Sequence, residues 1–587
     1  MSSQENKENQ RSPLARGVLA ALSTPWLASL VSAVVFIALY LSVFRPGYQV
    51  DDDITMIQMV SGYLGGQPVP FMVFSNVILG ILLNLLYRLP THLNWEILLF
   101  FGIHFLSAWC LLYVVVSLPL KSASKLLGMG VVLLSDSLFL LNITFTTTAT
   151  FSVVSGFVAI LAAAYTGSRL PRRMLVLGGL LIVAGSLLRV ESFLLALLLV
   201  FPVLIMIQRF FCLKNLILSS LAAILVVAIF YVFNIFYVSS SPEWNSFYAY
   251  NDIRSQLQDT PRVHPSNVKN AYNDVGWNFN DYNLFMSWFF PDEQLFAGSR
   301  LQYLVAHIPG TEKNIFSAVL SYFYPKPFFN GIDSFPYFLM IAAELIALAI
   351  CPSLRKAAWP LLVLFLTFLV LIFYLIWTEK VPLRVWDSFL AVMTIFGWSV
   401  LLWARLGADP SRPSLRTGSL LRAVVPALLG AAGLLALYYA VMTTRLNVQR
   451  QTAYQNVLSD LRALQAQGKI QADALIVSPA MGIPLVWSNP MFLDLPSPQY
   501  IELGWLTFSP SYYTVLHEFD VPSLPAGFYQ NDNVYLMIKA NLIGGVIEFI
   551  ADHEGVAVVP QVIYSPPNHY FDSDYNNVRL YKLILRK

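Results

Sequence analysis

Apolar runs of about 17 to 25 residues recur along most of this chain, and a hydrocarbon core about 30 Å thick needs roughly 20 helical residues per crossing. The first run, Trp26 to Phe44, predicts a membrane span. Six more are predicted at Trp95 to Val116, Leu126 to Leu141, Thr150 to Thr166, Leu175 to Leu188, Ser192 to Gln208 and Asn215 to Val238. Four follow a large polar and aromatic loop, at Phe335 to Cys351, Trp359 to Trp377, Val385 to Trp403 and Ala423 to Met442. Leu175 to Leu188 would reach only about 21 Å. It reads as one arm of a hairpin whose other arm is Ser192 to Gln208, with Arg189 and Glu191 at the outer apex.

Val69 to Leu89 is also apolar, but the loop charges argue against a crossing there. With about eleven crossings, the loops carrying Lys121, Lys125, Arg169, Arg172, Arg173, Arg209, Lys214, Arg355, Lys356, Arg405, Arg412, Arg416 and Arg422 share the N-terminal side. The Lys/Arg bias assigns that side to the cytoplasm, and Val69 to Leu89 becomes a half-embedded helix in the outer interface. The expected architecture is an α-helical polytopic membrane protein with an outer loop and an extracytoplasmic α/β domain. Residues 1–22 form a disordered cytoplasmic N-terminus. Residues 23–238 form a transmembrane core with a first outer loop at 45–94, and 239–333 an extracytoplasmic loop region. Residues 334–443 carry the last spans, and 444–587 the C-terminal domain. In that domain Val457, Leu458, Leu461 and Leu464 have helical spacing up to Gly468. ALIVS, VYLMI, VAVVPQVIY and VRLYKLIL look like strands, with a helical stretch GGVIEFIADH among them.

Composition supports this picture: 57% of residues are hydrophobic and 12% charged, about half the charged share of a soluble domain. A net charge of +3, with the basic residues in short inter-helix loops, leaves no case for nucleic acid as a partner. Cys110, Cys212 and Cys351 fall in or beside apolar runs with no metal-ligand spacing, as ordinary packing residues do. Lys7, Arg11 and Arg16 precede a run too long for a signal peptide, so the first span should remain as an anchor.

Candidate chemistry begins at Asp51, Asp52 and Asp53, just beyond the first span and ahead of Ile54, Ile57, Val60 and Leu64 at helical spacing. Helix capping explains one aspartate, and favourable placement at the helix dipole a second. Three adjacent carboxylates also repel, so a cation, a proton or basic neighbours should offset them. Successive side chains diverge by about 100°, so the three cannot all face one site. Arg189 and Glu191 interrupt an apolar hairpin, where ionisable groups pair with each other or face a cavity. Lys380 and Arg384, in the outer loop TEKVPLRVWD, are candidate phosphate clamps or parts of a salt-bridged loop. Asp136 lies mid-span, paired to a neighbouring helix or functional. His104 and His92 have no partner at metal-ligand spacing, and there is no HExxH, Walker A or Rossmann pattern in suitable context. Asn142-Ile143-Thr144 has the form of a glycosylation acceptor. In the large loop, Asp274, Trp277, Asp281, Trp288, Asp292 and Glu293 suit either sugar recognition or loop packing.

The acidic triplet after a first span, followed by an interfacial segment and a multi-span core, resembles the GT-C superfamily of membrane glycosyltransferases. That group includes protein O-mannosyltransferases and the aminoarabinose transferase of lipid A. DDDITMIQMVSGYLGGQPVPFMVFSNVILG, GWNFNDY and PLRV resemble uncharacterised bacterial relatives of that group. The chain departs from the mannosyltransferase pattern in having DDD in place of Asp-Glu, and QPVP is only a weak echo of an HPPL-like motif. The resemblance implies transfer of a sugar from a polyprenyl-phosphate donor in the lipid bilayer to an acceptor glycan, lipid or protein at the outer face. It makes Asp51, Asp52 and Asp53 catalytic candidates, as a general base or, at Asp52 and Asp53, as ligands of Mg²⁺ or Mn²⁺. Arg189, Glu191, Lys380 and Arg384 become substrate-binding candidates. The implied location is the plasma (inner) membrane, with the N-terminus cytoplasmic and the C-terminus extracytoplasmic. An O-antigen-type polysaccharide polymerase and a transporter or flippase are the rival readings.

Overall fold

The computed structural model describes residues 24–89, 92–166, 173–211, 216–260, 262, 268–310, 334–378, 381–406, 419–479, 482–567 and 577–586. The helices begin with α1 (Pro25–Val43), α2 (Asp51–Val60), α3 (Val77–Tyr87), α4 (Trp95–Ser117), α5 (Ser122–Leu141), α6 (Phe145–Thr166) and α7 (Arg173–Leu188). They continue with α8 (Val190–Phe211), α9 (Leu216–Ser239), α10 (Pro242–Gln258), α11 (Lys269–Asp274), α12 (Phe279–Met286) and α13 (Gly298–His307). The remainder are α14 (Phe335–Ile350), α15 (Ala358–Trp377), α16 (Leu383–Leu406), α17 (Ser419–Ala466), α18 (Pro510–Glu518), α19 (Leu524–Gln530) and α20 (Ile543–Glu554). Among the described residues nine helices are long and apolar enough to cross a membrane, namely α1, α4, α5, α6, α8, α9, α15, α16 and α17. The chain is a polytopic helical membrane protein. Three shorter apolar helices accompany these, α3, α7 and α14. At 11 residues, α3 is only about 17 Å long, too short to span.

Two helices differ from their predicted bounds for identifiable reasons. The threonine run ahead of Thr150 was expected to lie outside its span, yet α6 begins at Phe145. The Thr147 and Thr150 hydroxyls donate back to the Thr144 and Thr146 carbonyls, so these two are satisfied along their own chain. The predicted span ending at Met442 and the amphipathic stretch around Val457 are one rod, α17, 48 residues long and about 72 Å by helical rise. The connecting sequence TTRLNVQRQTAYQ contains no glycine or proline to interrupt it. The rod passes through the expected boundary at 443/444 and stops just short of Gly468, whose φ is 69°.

Packing inside the bundle relies on small residues. A Cβ built on Gly156 of α6 would lie 2.5 Å from the Gly178 carbonyl oxygen of α7, and one on Gly178 would lie 2.8 Å from the Gly156 oxygen. Only glycine permits that approach, the usual way membrane helices gain contact where lipid is as apolar as leucine. The helix is then interrupted just before Arg189, whose own N–H and carbonyl still bond Gly185 and Phe193. There the Leu187 and Leu188 carbonyls accept from the Asn76 N–H and the Ser75 hydroxyl.

The C-terminal residues form a five-stranded sheet in the order β4-β3-β5-β7-β6, made of β3 (Leu475–Pro479), β4 (Gln499–Leu503), β5 (Val534–Lys539), β6 (Val558–Tyr564) and β7 (Val578–Leu585). β3 is parallel to β4 and β5, while β7 is antiparallel to β5 and β6. One apolar core joins this sheet to the loops. Tyr48 and Ile54 from the first loop, Trp277 and Phe289 from the large loop, and Tyr454, Tyr500 and Phe549 from the C-terminal part all belong to it. A second core, including Phe157, Ile182, Leu199 and Phe396, fills the helical bundle. The sheet is therefore packed onto the loops as one body rather than tethered to them.

Candidate functional site

The chain leaving α1 forms a two-residue strand, β1 (Gly47–Tyr48), which pairs in parallel with β2 (Asn142–Ile143) ahead of α6. This pairing sets the start of α2 against the start of α6. The three aspartates occupy the first turn of α2, where acidic charge suits the helix dipole. They diverge as helical geometry requires.

Asp53 turns inward and is fully buried. Its Oδ1 accepts the Phe145 backbone N–H at 3.0 Å, and the Thr144 hydroxyl approaches the same buried carboxylate. Burial pushes its carboxyl up to about 7, partly offset by that N–H and by the Thr144 hydroxyl. Asp52 turns toward α16. Its Oδ2 lies 3.0 Å from the Arg384 guanidinium, with side chains 21% and 17% exposed, so the pair opens to solvent. Asp51 turns toward the C-terminal part. Burial and the neighbouring Asp52 charge raise its pKa, opposed by a hydrogen bond from the Val486 backbone N–H.

Two arginines converge on one ring. The Arg189 and Arg384 guanidiniums lie 4.8 and 5.8 Å from the centroid of Phe145, the first residue of α6. Arg189 donates to the Thr146 hydroxyl at 2.8 Å, whereas its approach to Glu191 is longer, at 3.6 Å. Glu191 itself is 66% exposed. The Arg384 Nε is buried without a partner. Lys380 lies outside the described residues. A third arginine that the sequence did not single out, Arg254 of α10, is buried within electrostatic reach of Asp52. It bonds Asn251 and Gln258 and covers the Trp288 ring at 4.8 Å.

The C-terminal sheet closes the arrangement through β4, the one strand of that sheet the sequence did not predict. The Tyr500 N–H donates to the Tyr63 hydroxyl at 2.9 Å, and Gln499 donates to the Tyr63 carbonyl at 3.0 Å. The otherwise open strand edge is thus docked on the first loop. Close by, Gly65 has a φ of 77°, and a Cβ there would lie 2.6 Å from the Thr514 side chain. This docking brings Glu502 of β4 toward the triplet. Burial, followed by the charges on Asp51 and Asp52, raises its pKa well above the usual range. Three residues on, Trp505 meets Phe74 edge-on at 5.0 Å, and Phe74 stacks on Phe145 at 6.1 Å.

The remaining candidates lie elsewhere. Asp136, for which pairing to a neighbouring helix was one expectation, bonds His104 at 2.7 Å across α4 and α5, and the other His104 nitrogen meets the Thr148 hydroxyl at 3.0 Å. The Asn142 side chain donates to Tyr439, and Thr144 is fully buried, which leaves no room for a glycan on that tripeptide. In the large loop, Trp277 donates to the Leu295 carbonyl, and Asp281 caps α12 while bonding His553 at 2.9 Å. Asp274 and Asp292 likewise bond within the loop. Packing accounts for these four. Among the described residues no group of three or more His, Cys, Asp or Glu is placed to hold a metal ion. Asp52 already faces a guanidinium and Asp53 an amide, so these two do not fit the Mg²⁺ or Mn²⁺ ligand role expected of them.

No family model, curated protein or solved structure matches the chain.

Proposed function

We propose that this protein is a membrane glycosyltransferase that moves a sugar from a polyprenyl-phosphate donor to an acceptor hydroxyl at the extracytoplasmic face of the plasma membrane. The observation that carries the reading is the Asp52–Arg384 pair. It is partly open to solvent, flanked by Arg189, and located where the first loop, the bundle and the C-terminal sheet meet. In this reading α7 and α14 complete eleven crossings, α3 lies half-embedded, and the loops and C-terminal sheet are outside. The basic loops then lie in the cytoplasm.

Arg384 and Arg189, joined by Lys380, would hold the donor phosphate, for which guanidinium forks are suited. Asp52, held at its place by Arg384, would take the proton of the acceptor hydroxyl as its oxygen bonds to the anomeric carbon. The bond from that carbon to the phosphate oxygen breaks, and the electron pair leaves on polyprenyl phosphate, stabilised by the arginines. Asp53 would act behind Asp52, fixing α2 against α6. No step is routed through a metal. Release of polyprenyl phosphate from a panel of lipid-linked sugars by the purified protein tests this; no release from any donor would remove the reading. A transporter or flippase is the second reading, favoured by the buried His104–Asp136 pair between spans.

A further inference from the structure

The segment ahead of β4 reaches back to the start of a membrane span. The Leu493 N–H donates to the His92 carbonyl at 2.8 Å and the Asn94 N–H to the Met491 carbonyl at 3.2 Å, and Leu93 pairs with Phe492 as an antiparallel bridge. Asn94 caps α4, so Phe492 stands beside the chain just before Trp95, where that span begins. Phe492 is nonetheless 50% exposed and Leu93 36%. Both add to an apolar stripe on α3. Gly80 turns one side of that helix inward, where a Cβ would fall 2.0 Å from the Pro70 carbonyl oxygen. Ile81, Leu82 and Leu85, with Leu89 just beyond the helix, are exposed. The depth of α3 is set by α9. The Asn76 side chain donates to the Phe230 carbonyl at 3.0 Å, and the Val77 N–H donates to Asn234 Oδ1 at 2.8 Å. Those partners lie about 14 and 8 Å short of the Ser239 end of α9 by helical rise. α9 is itself a candidate span with Leu225, Ile229 and Phe236 exposed, as a helix that meets lipid presents them.

We propose that residues 489–494 and α3 form one lipid-contacting lip, through which the C-terminal sheet rests on the bilayer with Phe492 at the boundary between head groups and acyl chains. Position selects the bilayer as the occupant. The stripe starts on a helix hydrogen-bonded to a span below that span's end, and it finishes on residues paired beside the start of a second span. An exposed leucine or phenylalanine at that level of a polytopic membrane protein meets lipid, and apolar side chains buried a few ångströms into the boundary are what hold interfacial segments there. The polar residues on the path fit the same surface: Arg88 and His92 are exposed, and such side chains extend their polar ends into the head groups. The sheet is then held in two ways, by the docking of β4 on the first loop and by lipid under the 489–494 segment. The inference stands apart from the glycosyl-transfer reading and needs only the membrane-spanning bundle.

The test is photolabelling of the full-length wild type in phosphatidylcholine nanodiscs, with labelled residues mapped by tandem mass spectrometry. One probe is a phosphatidylcholine carrying a diazirine near the glycerol end of its acyl chain, and a second carries it at the methyl end. The glycerol-end probe should label residues 489–494 together with α3. The methyl-end probe should label α9 around Leu225 and Ile229 and leave 489–494 untouched. Label on α3 without label on 489–494 would show Phe492 facing water or protein and would overturn the inference, as would absence of label from both. A second measurement places nitroxides by Phe492→Cys and Leu85→Cys in a chain whose Cys110, Cys212 and Cys351 are replaced by alanine. Each nitroxide should collide more often with oxygen, which concentrates in lipid, than with the water-soluble Ni-EDDA complex. The reverse order at position 492 would overturn the inference. So would shielding from both reagents with spin–spin broadening, which would assign the surface to a second copy of the chain. Should the alanine background fail to fold, the wild-type labelling decides alone.

Discussion

Asp52 and Arg384, one from the loop after the first span and the other from the start of α16, meet at 3.0 Å over the ring of Phe145. A buried carboxylate beside a buried arginine is unremarkable as structure. Here both groups keep part of their surface open, and Arg384 Nε has no partner. The pair therefore retains hydrogen-bonding capacity that a phosphate and a hydroxyl would use.

Arg384 is expected to carry donor affinity. Arg384→Ala should weaken binding of polyprenyl phosphate, measured by native mass spectrometry in nanodiscs, by about 10- to 150-fold, the range for one lost charge-assisted hydrogen bond. Arg384→Lys should recover part of it, because lysine keeps the charge but loses the fork. Unchanged affinity in Arg384→Ala would leave the guanidinium as a partner of Asp52 alone.

How far this site was legible in the sequence depends on the residue. The triplet stood out because three carboxylates exceed what a helix cap needs, and the divergence of their side chains followed from helical geometry alone. Arg189 and Arg384 stood out because ionisable residues are rare at span ends on that side. Arg254 carried no signal, being one arginine in an ordinary amphipathic helix whose partners are set by tertiary packing. Glu502 was hidden for another reason: QYIEL is a short run bounded by Pro498 and Gly504, and strand edges are completed by contacts distant in sequence. The same limit applied to α17, where the polar stretch after Met442 was taken as a break although nothing in it stops a helix. Apart from α6 and α17, the apolar helices were legible to within a few residues at each end because long apolar runs mark them; among the described residues nine are long enough to cross a membrane, and α7 and α14, also read as spans, are shorter.

A pH dependence follows from Asp53. Its folded carboxyl is pushed up to about 7, against about 3.9 for an unperturbed aspartate. Between those values the native state binds more protons than the unfolded chain, so this group's stabilisation is present at low pH and lost as pH rises toward and through 7. The melting temperature in detergent should fall between pH 5 and pH 8, and Asp53→Asn should flatten that fall while keeping an acceptor for the Phe145 N–H. Asp51 and Glu502, shifted in the same direction, leave a residual slope in the variant. A wild-type curve that rises over this window would contradict the assignment.

Within the bundle, the His104–Asp136 contact is expected to stabilise. His104→Ala strands a buried carboxyl group and should cost about 1 to 3 kcal/mol, visible as a lower unfolding temperature. The double variant with Asp136→Ala should recover part of the loss, because removing both partners leaves no stranded polar group. Proton flux in wild-type liposomes that disappears in His104→Ala, with no glycosyl transfer by either protein, would move the transporter reading ahead.

The central claim is tested most directly at Asp52. With the donor identified from the panel, release of polyprenyl phosphate is measured for Asp52→Asn, Asp51→Asn and Asp53→Asn, each folded and inserted in nanodiscs, with and without added Mg²⁺ or Mn²⁺. Asparagine keeps the shape and much of the capping ability while removing the charge. Asp52→Asn should lose about 10²- to 10⁴-fold in turnover, the usual contribution of a positioned general base, while still binding polyprenyl phosphate through Arg384 and Arg189. Wild-type turnover matched by Asp52→Asn would contradict the account.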